Sequence, residues 1–332
     1  MTIYTSLNDF TPPKNGTVVT VGNFDGVHLG HLAILRHARK IADTESVPLV
    51  VLTFEPAPIR LLRPDIAPRI LTPLEIKTPL LEQARIDHLL IIRSTSEFLA
   101  LTPEEFAQKI LVEHLAARHI VEGQTFSFGR RRTGTTLSLQ KMSGQFGFKA
   151  HLIPSLTINI ENLGPVAVSS TFIRQKISIS RFDQAAACLG RYYCLPGRVV
   201  PGHGVGRKIG FPTANLQLYH SEQMLPEDGV FAGYARLGDD PEKTFHADHF
   251  HPAAISVGRR ETFTEQTWQI EAYLLNYPAQ APNLYDRHIL LYPLERLRPQ
   301  KRFLDPQSLA RTIEEDCQSV KQILKTKGTL KP

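Results

Sequence analysis

Thr17-Val-Val-Thr-Val-Gly-Asn-Phe-Asp-Gly-Val-His-Leu-Gly-His31 decides how the first half of this chain is built. The apolar run Thr17–Phe24 predicts a buried strand, and the amphipathic stretch His31–Ile41 predicts a helix. Between them stand Gly22 and Gly26, residues that let backbone approach a ligand closely. His28 and His31 fall at the start of the helix, where free N–H groups and the helix dipole favour an anion and imidazoles add donors. On spacing alone, two histidines three apart are equally readable as caps or surface residues.

Working outward, Leu49–Phe54 is a second valine-rich strand, His88–Arg93 and His119–Glu122 are short apolar strands, and Leu74–Ala84 and Pro103–Leu115 are helical stretches. Strands alternating with helices imply a parallel sheet with crossovers, an α/β nucleotide-binding fold class. The pattern runs to about Ala187, with a closing helix at Arg181–Leu189. After Gly190 the texture changes to glycine, proline and short β segments: Gly197–Val200, Gly229–Leu237, Ala253–Val257, Trp268–Leu275 and Arg287–Leu291. Short strands between turn signals predict a small antiparallel barrel. Pro306–Lys325 then reads as a terminal helix, with Asp305 as its N-cap. We divide the chain into domains at residues 1–187 and 188–332.

At 332 residues the chain suits two domains, and 42% hydrophobic with 21% charged residues is ordinary globular composition. No apolar run approaches the roughly 20 residues of a membrane helix. The N-terminus has neither basic nor hydrophobic leader character, and Cys188, Cys194 and Cys317 form neither a disulfide framework nor a zinc site, so a cytoplasmic protein is expected. Residues 1–187 hold 20 basic and 16 acidic residues, and the remainder 18 and 16, so the net charge of +6 is spread. Only Arg130-Arg131-Arg132 is dense. That triplet suits a polyphosphate as well as nucleic acid, or reads as a solvated loop. No interleaved aromatics or recognisable module support a nucleic-acid partner, and no membrane partner is expected; oligomeric state is not legible.

The second half opens with a loop in which Gly202, Gly204, Gly206 and Gly210 surround Arg207 and Lys208. Backbone N–H groups of such a loop can wrap a polyphosphate, although the spacing is neither a Walker A nor a Rossmann fingerprint. Phe211-Pro-Thr-Ala-Asn-Leu216 follows, and the alternating Trp268-Gln-Ile-Glu-Ala-Tyr-Leu-Leu275 offers one carboxylate, Glu271. An isolated glutamate on a strand usually faces solvent.

Here the residues meet a family. Gly22-Asn-Phe-Asp-Gly-Val-His-Leu-Gly-His31 resembles the HxGH signature of nucleotidyltransferases in the version of prokaryotic FAD synthetases. Ser169-Ser-Thr-Phe-Ile-Arg174 resembles their SSTxIR motif, although its Ser-Ser-Thr by itself is an unremarkable polar turn. Phe211–Leu216 resembles the PTAN signature of riboflavin kinases, and Leu189–Leu216 matches that family almost throughout. The chain is thereby identified as a member of the bifunctional riboflavin kinase/FMN adenylyltransferase family, over roughly Thr17 to Asp316. The resemblance implies an α/β, Rossmann-like nucleotidyltransferase domain and a small antiparallel six-stranded β-barrel with a terminal helix.

It also implies a riboflavin phosphorylation to FMN and an adenylylation of FMN to FAD, with ATP as co-substrate, Mg²⁺ as cofactor and small molecules as the partners. By resemblance His28, His31 and Arg174 stabilise the adenylylation transition state. Gly22, Asn23, Phe24, Asp25, Gly26, Ser169, Ser170 and Thr171 bind ATP in the first site. Gly202, Gly206, Arg207, Lys208, Gly210, Phe211 and Pro212 bind ATP in the second. Thr213 and Asn215 hold the metal, Glu271 is the kinase base, and Thr125, Phe126, Phe128 and Arg298 contact flavin. Thr125 stands where the family has an acid or amide, and Ala57 where it has a histidine. Two other readings stay open on the sequence: a monofunctional riboflavin kinase with a degenerate first domain, and a non-catalytic flavin-sensing regulator.

Overall fold

A computed structural model describes residues 1–202, 204–261, 266–278 and 283–327. The chain divides into two compact units, Met1–Pro68 with Lys77–Ser169, and Arg69–Ile76 with Ser170–Pro332.

The first unit is a parallel sheet with helical crossovers. Its strands are β1 (Thr2–Tyr4), β2 (Thr17–Val21), β3 (Leu49–Phe54), β4 (His88–Ile92), β5 (Ala117–Gly123) and β6 (Lys149–Ile153). Their spatial order is β1-β4-β3-β2-β5-β6. Every residue of β2 and β3 is buried, which is why both read as unbroken apolar runs: helices cover both faces of a parallel sheet. Val19, Leu52, Leu90 and Ile120 join Phe106, Leu111, Leu139 and Phe148 in one core. From β2 the chain turns to β3 on one side, whereas β5 pairs with β2 on the other. The strand order thus reverses between β2 and β5, and in open α/β sheets ligands bind in the crevice at such a switch point.

Several local features follow from the sequence. α1 (Leu29–Glu45) starts at an N-cap supplied by His28 and ends at Ser46 in the left-handed region. Thr102 and Glu105 form a capping box ahead of Pro103–Glu105, after which Phe106–His114 widens into a π-helix. Arg130–Arg132 forms an exposed 3₁₀ turn with Arg131 and Arg132 at positive φ. The helix Thr136–Phe146 and strand β6 have no counterpart in the sequence reading. Ser169-Ser-Thr is not a turn but leads into a helix: Ser170–Ser178 forms α2, with Ile173 and Ile177 fully buried.

The second unit centres on a closed antiparallel barrel. Its strands are β7 (Leu195–Val200), β8 (Ala214–Leu218), β9 (Gly229–Gly238), β10 (His251–Glu261), β11 (Gln266–Leu274) and β12 (His288–Arg298), in the order β7-β8-β11-β10-β9-β12. Closure leaves no unpaired edge. The terminal helix α3 (Pro306–Lys327) packs on β9, β10 and β12 through residues that include Cys317, Val320 and Leu324. Asp305 caps it, accepting from the Ser308 N–H at 2.7 Å. All three cysteines are free and buried. Among the described residues no helix is long and apolar enough to cross a membrane.

Candidate active sites

In the first unit, β2 delivers Gly22–His28 to the switch point, and Gly123–Phe126 leaves β5 beside it. The turn is tight: Phe24, Gly26 and Val27 all have positive φ (46°, 96° and 38°). Phe24 and Val27 are nonetheless buried, so packing holds a backbone that their side chains disfavour. At the head of α1 the rings of His28 and His31 stack with centroids 3.6 Å apart, and Phe24 meets His31 edge-on at 5.2 Å. His28 Nδ1 accepts from the His31 N–H at 3.2 Å. With Nδ1 an acceptor, neutral His28 carries its proton on Nε2, which makes that nitrogen an N–H donor. A Cβ on Gly30 would lie 3.1 Å from the His28 ring, so the glycine between the two histidines makes room for this arrangement.

Two charged residues under this turn were not legible in the sequence. Glu122, 3% exposed, accepts from the Val21 N–H at 2.6 Å just where β2 leaves the sheet. Burial pushes its carboxyl well above the usual carboxylate range, and the Val21 hydrogen bond offsets only part of that. Lys77, 5% exposed, is the other. Burial lowers its pKa, opposed by the carboxylates of Asp25 and Glu55. Both are visible as charges in the sequence, but only tertiary packing makes them buried.

The predicted flavin residues are spread. Thr125 is exposed, Phe126 is half-buried and stacks on Phe128 at 5.3 Å, and Phe128 itself is a core residue packed against Phe106. Ser169 closes the first unit, whereas Ser170, Thr171 and Arg174 stand on α2 in the second; Arg174 Nε donates to the Arg69 carbonyl at 2.6 Å.

In the barrel, a cavity of about 340 Å³ is lined by Gly202, Gly204, Gly206, Arg207, Pro212, Thr213, Asn215, Gln269, Glu271 and Tyr285. β8 pairs antiparallel with β11 so that Asn215 lies directly opposite Glu271. Thr213 Oγ1 donates to Glu271 Oε2 at 3.4 Å, and Gln269 Nε2 to Oε1 at 2.7 Å. The glycines are needed for space: a Cβ on Gly202 would fall 2.1 Å from Asn215 Nδ2, and one on Gly206 2.3 Å from the Phe211 carbonyl. The loop is not wholly irregular, since Val205–Lys208 makes one helical turn. Hydroxyl, amide carbonyl and carboxylate oxygens around one cavity are a hard donor set that fits Mg²⁺.

Gly202, Gly206, Arg207, Pro212, Thr213, Asn215 and Glu271 therefore come together as read from the sequence. Lys208, Gly210 and Phe211 flank the cavity in sequence without lining it; Phe211 packs on Tyr273 at 5.4 Å. Gln269 and Tyr285 line it unforeseen, and Arg207 Nη2 donates to the Tyr285 hydroxyl at 3.4 Å. Arg298 is occupied elsewhere: its guanidinium donates to both oxygens of Asp316 on α3 at 2.8–3.1 Å.

A histidine pair at a switch-point helix, joined in one chain to a barrel whose cavity gathers a threonine, an asparagine and a glutamate over glycines, defines a two-domain ATP-dependent transferase. Family models sharpen this: FAD synthetase matches residues 11–171 and riboflavin kinase matches residues 189–324. The chain is 36% identical over 305 residues to the bifunctional riboflavin kinase/FMN adenylyltransferase of Escherichia coli K12, covering 92% of this chain and 91% of that one. Its counterpart in Haemophilus influenzae is 31% identical over 321 residues, covering 97% and 98%. A crystal structure described as a macrolide-efflux protein from Streptococcus pneumoniae superimposes with a TM-score of 0.80 at 28% identity, covering 96% of this chain and 98% of that one. The chain belongs to the bifunctional riboflavin kinase/FMN adenylyltransferase family.

Proposed function

We propose that the chain makes FAD in two steps, phosphorylating riboflavin at the barrel cavity and adenylylating FMN at the head of α1. The adenylylation is assigned to residues 1–187 and the phosphorylation to residues 188–332, and the enzyme works in the cytoplasm. The observation that carries the reading is the meeting of Thr213, Asn215 and Glu271 on one glycine-floored cavity.

In the kinase step Glu271 accepts the proton of a riboflavin ribityl hydroxyl while that oxygen bonds to the γ-phosphorus of ATP and the bond to ADP breaks. The backbone of the glycine loop and Arg207 hold the phosphates. Thr213 and Asn215 would hold Mg²⁺, which when bound offsets the charge on the transferred phosphoryl group.

In the second step a phosphate oxygen of FMN attacks the α-phosphorus of ATP and pyrophosphate leaves. His28, His31 and Arg174 stabilise the developing charge, and Thr125 and Phe126 contact the flavin.

Incubation with riboflavin, ATP and Mg²⁺, followed by separation of the flavins, tests the whole reading, with FMN and then FAD expected. Glu271→Gln should lower riboflavin phosphorylation by about 10²–10⁴-fold and leave FMN adenylylation intact. A variant that phosphorylates riboflavin at the parental rate removes Glu271 from the role of base.

A further inference from the structure

The Glu271 carboxylate is not left to find its own orientation. Gln269 stands two residues earlier on β11, so both side chains project from the same face of the strand, into the same cavity. Its Nε2 donates to Glu271 Oε1 at 2.7 Å, a good charge-assisted distance, whereas among the described residues Oε2 is held only by the long 3.4 Å contact from Thr213. The amide cannot be turned the other way without setting its oxygen against a carboxylate oxygen, so the assignment of donor is forced by chemistry. The intervening Ile270, 2% exposed, projects from the opposite face of the strand, leaving Gln269 to the cavity side. The Gln269 side chain makes no other hydrogen bond among the described residues.

The terminal torsion of a glutamate is broad and two-fold, so an unheld carboxylate presents either oxygen in a range of directions. Fixing one oxygen removes that freedom before substrate arrives, which is the preorganisation a proton transfer within hydrogen-bond reach requires. We infer that Gln269 is a positioning residue for riboflavin phosphorylation, its amide fixing Glu271 Oε1 so that Oε2, on the Thr213 side, receives the ribityl proton. This rests on the reading of Glu271 as the base. Gln269 itself neither gains nor loses a proton: the hydroxyl proton passes to Oε2 as the new O–P bond forms and ADP departs.

The test uses the full chain with Gln269→Leu, which removes the donor, and Gln269→Glu, which keeps the shape but turns the donor into an acceptor. Each should lower the kcat of riboflavin phosphorylation by about 10–100-fold, the scale of a slight misplacement of a catalytic group. KM for riboflavin and for ATP should stay within about twofold, and FMN adenylylation should not change. In a Glu271→Gln background, Gln269→Leu should cost nothing further, because there is no base left to position. The inference fails if either single variant keeps its kcat. It also fails if Gln269→Leu lowers activity equally in both backgrounds, or if KM rises in step with the loss, as a merely structural role would require. A Glu271→Gln variant of parental rate sinks the base reading instead, so the two failures are told apart.

Discussion

Among single residues, Glu122 carries the clearest pH signature. Its folded pKa lies well above the ordinary value, so its stabilising contribution is fully present below the unfolded carboxylate pKa and is lost as pH rises through the folded one. Glu122→Gln keeps an acceptor for the Val21 N–H and removes the ionisation. The melting temperature should therefore rise relative to the parent, and the gain should be larger at pH 9 than at pH 5, at about 2–4 °C per kcal/mol recovered. A gain independent of pH, measured by thermal unfolding, would mean that the carboxyl is not held neutral. In the barrel, Thr213→Ala and Asn215→Ala should each depress riboflavin phosphorylation and raise the Mg²⁺ concentration needed for half-maximal rate. If both variants titrate with Mg²⁺ like the parent, these side chains only shape the cavity. The sequence exposed Thr213, Asn215 and Glu271 because their family motifs are contiguous. Glu122 escaped because a carboxylate on a strand has no meaning until its neighbours across the sheet are known, and Gln269 because its amide matters only once Glu271, two residues on, is placed in the cavity.

On the scale of elements, legibility followed burial. β2 and β3 were plain because both faces are covered and the valine-rich run is unbroken. Five of the six barrel strands were plain between their turns, while β8, set in the glycine-rich motif region, was not read as a strand. β6 was missed because its residues are exposed or half-buried at the edge of the sheet, so Lys149-Ala-His-Leu-Ile153 carries little periodicity. The helix Thr136–Phe146 did leave signals, a Thr135/Ser138 capping box and a left-handed Gly147, but its sparse apolar face hid it. α1 joins structure to chemistry most directly, since His28 is both its N-cap and a proposed catalytic donor. The two roles separate by substitution. His28→Asn supplies another strong capping side chain, so stability should change by no more than about 0.5 kcal/mol, whereas His28→Ala should cost about 1 kcal/mol. Both should reduce FMN adenylylation by about 10²–10³-fold if the imidazole stabilises the transition state. Full activity in a folded His28→Asn protein would reduce this histidine to a cap.

At the scale of the whole molecule, the proposed function gives the two chemistries different residues: a histidine pair at a helix N-terminus in the first unit, and a carboxylate with oxygen donors in the barrel of the second. The second unit takes residues 69–76 from within the sequence of the first, so point variants of the full chain dissect the activities more cleanly than any single cut. Glu271→Gln should still turn FMN into FAD, and His28→Asn should still turn riboflavin into FMN. Neither alone should turn riboflavin into FAD at an appreciable rate. Mixed in one tube with ATP and Mg²⁺, they should restore that conversion, because FMN released from the barrel of one molecule can be adenylylated by another. The signature is a lag in FAD during which FMN accumulates, shortening as the Glu271→Gln protein is added in excess. Separation of the flavins over time reads it directly. If each variant keeps its remaining activity and the mixture still makes no FAD from riboflavin, FMN is not released between the steps and must pass within a single chain.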